Sequence, residues 1–204
     1  KATAFNQPIG EWNVSAVTLM GSMFNAAATF NQSIGDWDVS TVTKMGAMFR
    51  GAEAFNQPIG NWDVSNVITM TNMFTGASAF DQPIGNWDVS AVTRMDWMFQ
   101  DSVFNQPIGD WNVSAVTNMK GMFNGATDFN QSIDHWVIAG PPQTTDNQNP
   151  TPYLITNNSP PTGIVAPELS IPENQSQGSL VAQFIGIDPD ANDTLSFSLA
   201  PLDS

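Results

Sequence analysis

The sequence predicts an α/β solenoid: a right-handed rod of parallel β/α repeats over residues 1–138, followed by a truncated all-β segment. Three observations carry this reading. Phenylalanine recurs at Phe5, Phe30, Phe55, Phe80, Phe104 and Phe129, at intervals of 25, 25, 25, 24 and 25 residues. Tryptophan keeps the same beat, from Trp12 to Trp136. All ten methionines fall into five M-x-x-M pairs, from Met20/Met23 to Met119/Met122. A fixed period of this kind marks stacked repeats, each too small to bury its own apolar face. The array holds five full units and a partial sixth.

Each element is read from one unit, Phe55 to Ala79. Trp62 and Val64 alternate with Asn61, Asp63 and Ser65, the period of a short half-buried strand. Val67, Met70, Phe74 and Ala77 then lie three or four apart, which predicts a helix with one buried face. Ser65 stands at the N-cap of that helix and Gly76 at its end. Phe55 to Gly60 is a return loop, with Pro58 blocking helix and Gly60 permitting a tight turn. Stacked strands predict a parallel sheet with about 4.8 Å per unit. Asn6, Asn31, Asn56, Asp81, Asn105 and Asn130 share one phase and offer an asparagine ladder along the stack.

Residues 139–162 form a Pro/Thr/Asn-rich linker without periodicity. Residues 163–204 resume a β pattern. The chain opens on Lys1 and stops within this last segment, so it reads as an excerpt of a longer protein.

Composition narrows the function. Five basic residues stand against nineteen acidic ones, a net charge of -14. Nucleic-acid binding needs a basic footprint, and so does attachment by charge to anionic lipid. No apolar run reaches the roughly 20 residues of a membrane span. The absence of cysteine removes thiolate metal sites, cysteine nucleophiles and disulfides.

Two resemblances follow from these motifs. The stretch I-G-N-W-D-V, residues 59 to 64, resembles the strand of a leucine-rich repeat. V-I-T-M-T-N-M-F-T-G-A, residues 67 to 77, resembles the following segment of the 25-residue BspA-like repeat of bacterial surface proteins. The asparagine usual after a leucine-rich-repeat strand is replaced by Val67 and its equivalents. Residues 172 to 199 resemble the start of a bacterial cadherin-like domain. The first resemblance implies a non-catalytic, extracellular adhesion role. The second implies that Glu173, Asp188 and Asp190 supply oxygen ligands to calcium, in a complete domain only.

Three site readings remain. Asp38, Asp63 and Asp88 form one column after the tryptophans, with Asn13 and Asn112; Glu11, Asp36, Asn61, Asn86, Asp110 and His135 form the column before them. Stacked carboxylates repel and call for a cation, a partner's donors or capping of nearby N–H groups. Trp97 is off the beat, where other units hold Ser22, Ala47, Asn72 and Gly121, and so marks either a binding spot or local packing. Repeated columns give acids equivalent environments, whereas acid–base catalysis needs unequal ones. His135 is the sole histidine. These features predict no enzyme. They leave a protein-binding or adhesion module on a cell surface or matrix, a glycan-binding version of it, or a structural spacer.

Overall fold

In the computed structural model the described residues are 3–134 and 136–139, together with the backbone of three short strands beyond. The strands are β1 (Val137–Ile138), β2 (Ile155–Thr156), β3 (Gly163–Val165) and β4 (Ile185–Ile187). β1 pairs in parallel with β2, Val137 opposite Ile155. β3 pairs antiparallel with β4, Ile164 opposite Gly186. The chain divides into two compact units, Lys1–Thr156 and Asn157–Ser204. β2 therefore lies in the stretch expected as linker, and β3 and β4 lie in the expected all-β segment.

The repeats stack in parallel, but the expected α/β solenoid is overturned. No helix occurs among the described residues, and residues 3–134 contain only turns, coil and isolated bridges. The parallel bridges run Leu19–Lys44–Thr69–Arg94–Asn118, inside the segment expected to be helical.

The backbone bonds explain the difference. In the third unit the N–H groups of Met70, Asn72, Phe74 and Gly76 donate to the carbonyls of Arg94, Asp96, Met98 and Gln100 in the next unit, at 2.8–2.9 Å. The intervening N–H groups of Met73, Thr75 and Ala77 donate three residues back, to Met70, Asn72 and Phe74. Alternate donors are thus committed to a neighbour, and no i→i−4 helix can form. Every second local turn carries a positive φ at its third residue alone: 57° at Asn72 and 65° at Gly76. That is a type II turn. All ten positive-φ residues of the described chain sit at these two places in the five units. The three- and four-residue spacing of Met70, Met73, Phe74 and Ala77 is real, and all four are buried. Consecutive turns produce it rather than a helix.

The strand expected around Trp62 is absent for a related reason. Trp62 and Val64 are buried and Asp63 is exposed, as alternation requires. However, Trp62 N–H turns back to Ile59 and Val67 N–H to Val64, so no ladder forms. The contact to the neighbouring unit is made by the side chain instead. In the column, the indole Nε1–H groups of Trp37, Trp62, Trp87, Trp111 and Trp136 each donate to the carbonyl of an isoleucine in the preceding unit, at 3.1–3.2 Å.

Two more columns lock the stack. The expected asparagine ladder is present: Asn6 Oδ1 accepts the N–H of Asn31, Asn31 that of Asn56, and so on to Asn130, at 2.8–3.1 Å. Four glutamine side chains add a second donor to the same oxygens. Inside, Phe24, Phe49, Phe74, Phe99 and Phe123 stack with ring centroids 5.5–5.8 Å apart. A parallel column from Phe5 to Phe129 packs against it.

The short fourth unit is repaired locally. Ser102 stands where other units have Ala27, Ala52, Ala77 and Ala126. Its hydroxyl donates to Phe99 and accepts from Phe104 N–H, which elsewhere finds the alanine carbonyl.

The tryptophan column has five buried members rather than six, because Trp12 is 54% exposed. Trp62→Ala should therefore lower stability by ~3–5 kcal/mol, through a large cavity and the loss of the indole bond to the Ile34 carbonyl, which keeps its bond from Trp37 N–H. Trp12→Ala should cost far less. Denaturant titration of both variants checks this, and equal losses would refute the stacking account.

Candidate functional site

The site is built from the I-G-N-W corner. The turn closed by Trp62 N–H on the Ile59 carbonyl fixes two buried anchors and leaves Gly60 and Asn61 between them. The same corner recurs at Ile34/Trp37, Ile84/Trp87 and Ile108/Trp111. Successive units approach closely here. A Cβ on Gly35 or Gly60 would lie 2.5 Å from the carbonyl oxygen of Pro58 or Pro83, and one on Gly85 would lie 2.6 Å from that of Pro107. Glycine is required at this column by backbone proximity, not by φ.

The result is a groove with a glycine floor. Two hollows of about 310 and about 400 Å³ lie along it, and both touch Asn86. Exposed Pro58, Pro83 and Pro107 stand on it. So do the exposed side chains of Asp36, Asn61, Asn86 and Asp110. Those four side chains make no hydrogen bond among the described residues.

The column singled out from the sequence, Asp38, Asp63 and Asp88, is engaged instead. Each carboxylate accepts the N–H of the serine two residues on, at 3.0–3.1 Å. Asp38 and Asp63 also accept the serine hydroxyl at 2.6 Å. These bonds close Asx turns. The Ser40 hydroxyl, and then its amide, hold the Asp38 carboxyl below the ordinary value against a small opposing effect of burial. Ser90 lowers Asp88 in the same way. Asn13 and Asn112 make the same turn with an amide oxygen.

Trp97 is half-buried and has φ 60°, a left-handed conformation rarely adopted by a bulky residue. Its ring lies over Gly121, where a Cβ would collide with it. Beside it in sequence, buried Asp96 takes a two-pronged bond from Arg94, at 3.1 Å to each oxygen. Thr71 Oγ1 donates to the same carboxylate. Trp97 and the Asp38 column are therefore each tied into local packing. Glu173, Asp188, Asp190 and His135 lie outside the described residues. Among the described residues no group of three or more His, Asp or Glu could hold a metal ion.

The groove was missed in sequence because its P-x-G signature reads as an ordinary return loop. The available signal was constancy. Glycine stands at positions 10, 35, 60, 85 and 109, one in every full unit, whereas the glycine ascribed to the helix end does not persist.

Two outcomes test this geometry. Because Asp38 and Asp88 titrate below 3.8 when folded, the unfolded chain binds more protons in acid. Their stabilisation is complete above the ordinary value and drains away as pH falls through the folded one. Asp38→Asn should keep the turn and weaken the acid dependence of stability, as read from melts across that range; an unchanged acid dependence refutes this. Gly121→Ala should cost about 1–3 kcal/mol by forcing Trp97 aside. Ala47 at φ 56° shows that the backbone itself accepts alanine there. In a Trp97→Ala background the cost should shrink, and additive losses in the double-mutant cycle would remove the ring from Gly121.

Comparison with known proteins supplies a family. Neither curated proteins nor solved structures gave a match. One family model, described as Mycoplasma protein of unknown function, DUF285, matches residues 1–79 and 58–149. The two stretches overlap and take in the whole repeat array, more than half of the chain, which therefore belongs to the DUF285 family.

Proposed function

We propose that the repeat array is a non-catalytic adhesion or interaction module of an extracellular surface protein, with the glycine-floored groove as its contact face. The observation that carries this is the division between the two polar columns. The fold consumes Asp38, Asp63 and Asp88 in its own turns, while it leaves Asp36, Asn61, Asn86 and Asp110 exposed and unbonded along a hollow. Polar side chains that the fold does not use are free to meet a partner's donors and acceptors. The resemblance to BspA-like surface repeats supports the extracellular address. The unequal environments that acid–base catalysis requires have no counterpart in a column repeated with the unit.

Beads carrying the 204-residue chain should be retained on an immobilised collagen matrix or on a mucin layer more strongly than albumin-coated beads. Equal retention on both surfaces would favour a structural spacer and overturn the adhesion reading.

A further inference from the structure

Resting on that reading, we propose that the groove binds a neutral, linear polysaccharide lying along the axis of the stack, with one sugar ring over each unit.

Hydrogen-bonding capacity is the first ground. The carbonyl oxygens of Pro58, Pro83 and Pro107 face the glycine column and accept no hydrogen bond among the described residues. The N–H groups of Gly60, Asn61, Gly85 and Asn86 donate none there. The Asn61 and Asn86 side chains offer both functions again. A run of sites that each combine donors and acceptors suits hydroxyl groups, which also do both.

Charge is the second ground. The two central members of the column are Asn61 and Asn86, with Asp36 and Asp110 outside them and Glu11 beyond Asp36. A hard cation wants several charged or carbonyl oxygens gathered on one point. Here the oxygens are spread along a line, and the centre is neutral. A polyanion meets a chain of net charge -14. A neutral polymer avoids both penalties.

Shape is the third. The proline rings present apolar faces that suit the C–H faces of sugar rings, and the amides beside them suit the hydroxyl rims. Equivalent rings repeat at 5.5–6.3 Å from unit to unit, so the polar corners recur at a regular interval along the stack.

The test is titration calorimetry of the full chain with cellohexaose, xylohexaose and mannohexaose. Polygalacturonate serves as the anionic control. At least one neutral hexasaccharide should bind, and the corresponding trisaccharide should bind more weakly. Asn61→Leu with Asn86→Leu should weaken binding by about tenfold or more, the loss of two or more hydrogen bonds. Asn61→Ala with Asn86→Ala is the second variant, should the leucines disturb folding; the parent melting temperature identifies a folded variant. Failure of all three neutral ligands, equal binding by a folded variant, or tighter binding of polygalacturonate would overturn the inference. Bead retention separates the two levels. Retention without glycan binding leaves the adhesion reading standing and removes the glycan, and loss of retention together with failure of all three neutral ligands removes both.

Discussion

The structure depends on one arrangement of backbone hydrogen bonds. In the first four M-x-x-M-F segments, alternate N–H groups reach forward to the next unit and the others turn back three residues. This pattern needs a left-handed residue every fourth position, and the ten positive-φ residues provide it. It also sets the direction of the stack, because each unit donates forward from this edge and accepts on the other. Two of these positions hold residues with an obvious conformational tolerance, Asn72 and Gly76. Trp97 does not belong to that class. Its ring is accommodated because the neighbouring unit has Gly121 beneath it, so the two irregular choices support each other.

The remaining sides of each unit are held by side chains copied from the one before. Asparagine oxygens accept the next unit's N–H, indole N–H groups reach an isoleucine carbonyl, and phenylalanine rings stack on phenylalanine rings. A ladder of this kind works only if the same residue returns at the same phase. That requirement explains why the period is held so strictly and why its one lapse needs a remedy. Where the fourth unit loses a residue, the Ser102 hydroxyl restores the missing acceptor for Phe104 N–H, and Asp81 still reaches Asn105 N–H at 2.8 Å.

Much of this was legible in the sequence, and the errors share one cause. The period, the buried columns and the Asn6–Asn130 ladder follow from phase alone, which survives whatever the local conformation is. The helix does not follow. Spacings of three and four at Met70, Met73, Phe74 and Ala77 are satisfied by successive turns as well as by a helix, and periodicity cannot separate them. The discriminating signal was the position of Asn72, filled elsewhere by Ser22, Ala47 and Gly121. Small or turn-forming residues recur there because the conformation is left-handed, not because a helix turns that face to solvent. Likewise Gly76 was correctly read as left-handed but was assigned to a helix end that does not exist.

The same distinction governs the acidic columns. Composition and spacing treat Asp38 and Asp36 alike, since both flank Trp37 and both are exposed. The difference is the serine two residues beyond Asp38, whose N–H and hydroxyl occupy that carboxylate. Asp36 is followed at the same distance by Asp38 itself, which offers no hydroxyl. One column is thereby bound into the scaffold and the other is left along the groove. Because every unit repeats the choice, the free groups are delivered as a row with a fixed interval. A row of that kind discriminates by the spacing of what it meets, which a single pocket cannot do. The chemistry at each corner is weak and unspecialised, so if this row is the contact face proposed above, recognition would have to come from repetition and would favour a partner that itself repeats.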